Sequence, residues 1–136
     1  MSAALDTLIP HRAPMQWIDA LIDCTDTTAS ATVRFTAGHF AVADGAVTET
    51  ALIECVAQTV AAALGHRSQI NGQGGRANNG MLGAVTNFRI HSPPPLEKPV
   101  LIEVRELKRF GPMLLVAGVV SCEGRVIAEG ELSLYA

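Results

Sequence analysis

Residues 29–36 alternate: Ala29, Ala31, Val33 and Phe35 are apolar, and Ser30, Thr32, Arg34 and Thr36 between them are polar. A period of two predicts a strand with one wet face. The run before it, QWIDALID at Gln16–Asp23, alternates less regularly and fits either a strand or a helix. The polar turn Thr25–Thr28 joins the two runs and favours a β-hairpin. Gly38–Val47 reads as a loop, with turn chemistry at Asp44-Gly45. From Thr48 to about Leu64 the chain is apolar on almost every side of a helical period. Thr48 is the candidate N-cap, Glu49 suits the dipole of the first turn, and Gly65 can close the helix in the left-handed conformation.

Gly65–Gly80, GHRSQINGQGGRANNG, reads as a connecting loop. Its glycines do not follow a strand and open a helix, so a phosphate cradle is not expected. Four strands are predicted beyond it, at Met81–Ile90, Val100–Arg109, Met113–Ser121 and Arg125–Tyr135, forming a meander. Ser92–Pro95 with Pro99, then Phe110-Gly111-Pro112, then Glu123-Gly124 mark the turns. MLLVAGVV at Met113–Val120 is apolar on both faces, which predicts a central strand buried on both sides. In the last strand Val126, Ala128, Gly130, Leu132 and Leu134 fall on one face. The fold class is therefore α+β: one long central helix wrapped by a curved antiparallel sheet, in a single domain spanning 1–136. The helix side that the sheet leaves open calls for a second copy of the chain.

Composition narrows the function. Of 136 residues 49% are hydrophobic and 17% charged, and the net charge is −3, with no basic run longer than Lys108-Arg109. Nucleic-acid binding is disfavoured. The N-terminal stretch lacks the basic and apolar regions of a signal peptide, and no apolar run is long enough to span a bilayer. Cys24, Cys55 and Cys122 form no CxxC pair, so neither a disulfide framework nor a zinc site is expected, and the thiols read as reduced and cytoplasmic.

One residue breaks the apolar helix. Glu54 stands in its middle, and a buried acid needs a partner or a proton. His39, in the loop just before the helix, is the nearest candidate in sequence. Leu8–Met15, LIPHRAPM, reads as a turn bounded by prolines that starts the first strand, with His11 and Arg12 inside it.

These segments resemble a known family. LIPHRAPMQWIDAL, then GHF at Gly38–Phe40, then Ile53-Glu54 with Ala57-Gln58, then LGAVTNFRI, is similar to the hot-dog-fold β-hydroxyacyl-acyl-carrier-protein dehydratases. The resemblance runs from Leu8 to Tyr135. It is closest to the divergent branch of predicted 3-hydroxyacyl-carrier-protein dehydratases linked to aryl-polyene clusters, whose members share a loop like Asp44-Gly45. The main family has His-Phe-Pro-Gly after the strand and Met-Pro-Gly before the helix. Here His39 is followed by Phe40-Ala41-Val42, and Thr48-Glu49 stands where Pro-Gly would be.

The resemblance implies a histidine of one subunit facing a carboxylate on the partner's helix, which maps to His39 and Glu54. An imidazole can take the α-proton of a 3-hydroxyacyl thioester, and an acid in apolar surroundings can keep a proton for the departing hydroxyl. Backbone N–H groups near Glu49 and Thr50 can stabilise the enolate oxygen. Phe40, Glu49, Thr50, Gln58 and Gly83 are the candidate substrate contacts. Gln58, one turn after Glu54, either orients the acid, binds substrate or packs in a subunit interface. Gly83 either lets an acyl chain pass or marks a bulge. No cofactor or metal is implied, since the substrate brings its own phosphopantetheine. The implied partners are an acyl-carrier protein and a second subunit, in a homodimer, a higher oligomer or a heteromer with another dehydratase. Arg67, Arg105, Lys108 and Arg109 either receive the acidic carrier or are solvated charge. Two other functions fit the same residues: an acyl thioesterase in which Glu54 activates water, and a non-catalytic acyl-binding subunit of a dehydratase complex.

Overall fold

A computed structural model describes residues 16–48, 50–70 and 81–135. The expected turn at Leu8–Met15, Glu49, and the stretch 71–80 of the Gly/Asn-rich loop lie outside the described residues. The alternating stretches form the expected hairpin, β1 (Ala20–Cys24) against β2 (Thr28–Arg34). The loop after it holds a small hairpin, β3 (Val42–Ala43) with β4 (Ala46–Val47). Asp44 and Gly45 turn it with φ of 53° and 77°, the left-handed pair that a two-residue hairpin needs. Next come α1 (Ala51–Ile70), β5 (Met81–Ile90), β6 (Pro99–Phe110), β7 (Met113–Cys122) and β8 (Arg125–Tyr135).

The six long strands form one antiparallel sheet in the order β1-β2-β6-β7-β8-β5. Only β6, β7 and β8 are a meander. The expected fourth member, β5, pairs with β8 at the far edge, because the proline-rich segment after it carries the chain across to β6 beside β2. The concave face packs on α1 through Ala31, Val33, Ile102, Val104, Leu114, Val116, Val120, Leu132 and Leu134, all buried. The result is the hot-dog arrangement of one helix in a curved antiparallel sheet.

Three local expectations change. In β8 the expected face is Val126, Ala128, Gly130, Leu132 and Leu134, yet Val126 is exposed and Ile127 buried. A bulge between Val120 and Ser121 on the β7–β8 register shifts the phase by one residue. In β7 the inner residues are buried, but Met113, Leu115, Ala117 and Val119 on the outer face are only half-covered. A single helix layer covers one face of the sheet, and among the described residues nothing lies on the other.

The helix also starts and ends later than its composition predicts. The Glu54 N–H donates to the Thr50 carbonyl at 3.1 Å, so Thr50 and not Thr48 takes the N-cap place, and Glu54 stands in the first turn. At the other end the helix runs through buried Gly65 to Ile70. Glycine inside a helix costs about 1 kcal/mol relative to alanine. Arg67 offsets this by tying the last turns to the β1–β2 turn. Its Nε donates to the Thr25 carbonyl at 2.8 Å and its Nη2 to Thr28 at 3.4 Å.

Gly118 on β7 faces Val56 of the helix. A Cβ there would lie 2.8 Å from Cγ1 of Val56, so the valine side chain or the helix would have to shift. Gly118→Ala is expected to lower stability by about 1–3 kcal/mol, read as a lower thermal midpoint. An unchanged midpoint would show that the close approach is not required.

Candidate active site

The loop between β2 and α1 holds His39 through its own backbone. The His39 N–H donates to the Thr36 carbonyl at 2.9 Å, and the Val42 N–H donates to the His39 carbonyl at 3.0 Å. Two successive turns thus bracket the residue. The Thr48 N–H closes the small hairpin onto the Ala41 carbonyl at 2.8 Å. The ring is half-buried, edge-on to Phe35 with centroids 5.0 Å apart and to Trp17 at 6.1 Å. Its Nδ1 accepts the backbone N–H of Ala41 at 3.0 Å. Phe40, 60% exposed, leans on Trp17 with centroids 6.2 Å apart.

Glu54 is half-buried at the start of α1. Gln58 one turn later is fully buried, and the strand entering β1 pins its amide. Its Oε1 accepts the N–H groups of Trp17 at 2.8 Å and Ile18 at 3.3 Å. With the oxygen so engaged, Nε2 faces the other way and donates to Oε1 of Glu54 at 3.3 Å. The Gln58 amide thus bridges the backbone before β1 and the Glu54 carboxyl. Cys55, next along the helix, is fully buried. Burial pushes its thiol well up, with smaller contributions from the charges of Glu54 and Asp19, so it stays protonated and inert as a nucleophile.

The half-exposed side of the helix carries Ile53, Glu54, Ala57 and Leu64. A cavity of about 500 Å³ opens beside the helix start, between Thr48 and Leu52 on one side and Phe88, Ile90, His91 and Pro93-Pro94 on the other. His39 and Glu54 are not among its walls. The Ala51 N–H is taken by the Thr48 carbonyl at 3.1 Å. The N–H groups of Leu52 and Ile53 follow, in the turn whose donors have no acceptor within the helix. Thr50 is exposed at the helix start, and Glu49 lies outside the described residues. Gly83 is on β5, and the Tyr135 ring fills the position of its missing Cβ, with Cε2 at 2.7 Å.

One unpredicted residue, Trp17, touches His39, Phe40 and Gln58, and Gln58 in turn reaches Glu54. The Trp17 ring borders His39 and Phe40, and its backbone N–H holds Gln58. It is the only tryptophan in the sequence, which was the one signal that could have singled it out. Ala41, the donor to His39, was visible only as a departure from the proline of the dehydratase pattern. Among the described residues no group of three or more His, Cys, Asp or Glu could hold a metal ion, and no helix is long and apolar enough to cross a membrane.

Comparison with known proteins completes the picture. The sequence profile of the ApeP-like family, described as ApeP dehydratase, matches residues 3–136. Among solved structures, the dehydratase heterocomplex ApeI:P from Xenorhabdus doucetiae superposes with a TM-score of 0.87 at 23% identity, over 98% of this chain and 90% of that one. The PaaI protein of the E. coli phenylacetic acid degradation operon matches at 0.66 with 14% identity, over 88% and 82%. A hypothetical thioesterase from Streptococcus pneumoniae, solved with coenzyme A, matches at 0.64 with 10% identity, over 85% and 82%. At these identities the likeness shows the shared hot-dog fold. No curated protein is similar enough in sequence to count as a relative.

Proposed function

The chain belongs to the ApeP-like dehydratase family, and from that membership we propose that it removes water from a 3-hydroxyacyl thioester on an acyl-carrier protein, leaving the 2-enoyl thioester. The observation that carries the proposal is the buried Gln58 amide, pinned at one end and directed at Glu54 by the other. A purely structural acid at a helix start has no need of a neutral amide locked in the core to aim it. His39, held between two turns, supplies the second polar group of the site. Elimination of water requires removal of the α-proton, protonation of the departing hydroxyl and stabilisation of the charge that collects on the thioester oxygen. The Leu52 and Ile53 N–H groups add donors for that charge, and Phe40 and Thr50 border the acyl group. The phosphopantetheine arm is part of the substrate, and no other cofactor enters.

A partner subunit completes the site in this reading. β5 is the last strand of the sheet, with Val85 and Ile90 exposed. The helix side bearing Ile53, Ala57 and Leu64 is half-covered. A second hot-dog subunit would cover both and bring its own histidine to Glu54. The likeness to a heterocomplex favours a different dehydratase chain as that subunit. It also favours a second reading, in which this chain supports an active partner and performs no chemistry itself.

The test is mass spectrometry of 3-hydroxyacyl carrier-protein thioesters incubated with the protein, alone and with a candidate partner dehydratase. Loss of water with the thioester intact is the expected result. Release of free acid would indicate a thioesterase. Activity that needs the partner but survives loss of both His39 and Glu54 in this chain would indicate the supporting subunit.

A further inference from the structure

The outer face of the sheet carries an ordered pattern. β7 runs along its middle with Met113, Leu115, Ala117, Val119 and Ser121 turned outward, each half-covered. Two troughs flank this strand, one of about 530 Å³ over β8 and one of about 340 Å³ over β6, and Ala117 and Val119 line both. The strand register fixes what stands on either side. At one end Phe110 and Tyr135 flank Met113, and their rings are 54% and 43% exposed. At the other end Leu101 and Val126 flank Ser121. Between these rows Arg105 and Glu131 flank Ala117. Neighbouring strands lie about 4.8 Å apart, so those two charges stand about 10 Å from each other across the alanine. Among the described residues neither makes an ion pair.

We propose that this face binds the same face of a second copy of the chain, back to back, about a two-fold axis that runs along β7. Such an axis lays β8 of one copy over β6 of the other at the same height. Tyr135 then meets the second copy's Phe110, Val126 meets its Leu101, and Glu131 meets its Arg105. Symmetry makes each contact twice. Aromatic and apolar ends meet their like, and the unpaired charges find opposite ones. One row, Glu103–Val119–Glu129, sets carboxylate against carboxylate. There Glu129 has Arg89 beside it in the register and His91 Nε2 at 2.9 Å, which temper its charge. An axis across the strands fits worse. Centred on Ala117, it would set Arg105 against Arg105 and Glu131 against Glu131. The face is distinct from the β5 edge and the helix side, so this contact is additional to the subunit placed there and does not depend on the dehydratase reading.

The test is the mass of the purified protein by sedimentation velocity. Arg105→Glu and Glu131→Arg each set two like-charge contacts in the symmetric interface, and each should weaken association about a hundredfold or more. At a concentration where wild type is assembled, each variant should therefore sediment with half its mass. Mixing the two variants should restore the wild-type mass, because each supplies the sign that the other has lost. The double exchange within one chain, Arg105→Glu with Glu131→Arg, should restore it too. Both side chains point away from the core, and recovery on mixing shows that each variant is folded. Single variants as heavy as wild type would overturn the proposal, and so would variants that stay apart when mixed. If the face takes an unlike protein instead, wild type alone will be no heavier than the variants, which overturns it as well.

Discussion

Replacing Glu54 with glutamine is expected to slow dehydration by about a thousandfold, the scale of losing a positioned proton-transfer group, with little change in stability or in thioester binding. The substitution suits the question because it is nearly isosteric. Gln58 donates to Oε1 of Glu54 from Nε2 at 3.3 Å, and an amide oxygen at position 54 can accept the same bond. The Gln58 contact stays, and only the capacity to exchange a proton is lost. Helix position matters too. Glu54 lies in the first turn of α1, where the helix dipole favours a negative charge. Glutamine gives up that term, a cost of about 0.5 kcal/mol at a partly exposed site, far too small to explain a large rate loss through unfolding. The measurement is kcat and KM on a 3-hydroxyacyl carrier-protein substrate, beside a thermal melt. A fall in kcat with KM and midpoint nearly unchanged is the expected pattern. A variant as fast as wild type would reduce Glu54 to a structural residue and favour the supporting-subunit reading.

The sequence made the fold legible where interactions are local. Alternation located β2, and the glycine and proline punctuation located the turns of β6, β7 and β8. Asp44-Gly45 announced a turn because few residue pairs adopt two positive φ values cheaply. What stayed hidden was set by partners distant in the chain. Nothing within Met81–Ile90 states that it pairs with β8 and not with β6. The bulge at Ile127 shows only in the pairing with β7, where Val120 faces Ala128 and Ser121 faces Val126. The helix outran Gly65 because Arg67 finds carbonyls at Thr25 and Thr28, some forty residues earlier. Glu54 and His39 were legible as an acid within the apolar helix and an imidazole in the loop before it. The contacts that hold them were not, because a backbone N–H donates to His39 and the backbone before β1 pins Gln58, and backbone groups carry no residue signature.

Gln58 should be the most sensitive position in the core, and two substitutions separate its two tasks. Gln58→Leu removes the acceptor of the Trp17 and Ile18 N–H groups. Both lie in the buried strand entering β1, and each unsatisfied donor costs about 1–3 kcal/mol. A loss of about 2–4 kcal/mol is expected, lowering the thermal midpoint by roughly 10 °C in a domain of this size. Activity measured well below that midpoint should also fall, since Trp17 borders His39 and Glu54 loses its donor. Gln58→Glu keeps an oxygen for the two backbone donors but turns a second oxygen toward Glu54. When ionised, the introduced carboxyl faces a like charge in a buried site; when protonated, its O–H restores the donor. Both effects hold its proton more tightly in the folded state than in the unfolded one. The folded protein then binds more protons, so the variant's stability relative to wild type should rise as the pH falls from 8 toward 5 and decline as it rises again. Wild type has the neutral amide and lacks this dependence at position 58. A stability difference between Gln58→Glu and wild type that is flat across that range would mean that the amide does not face Glu54, and the site would lose the contact that aims its acid.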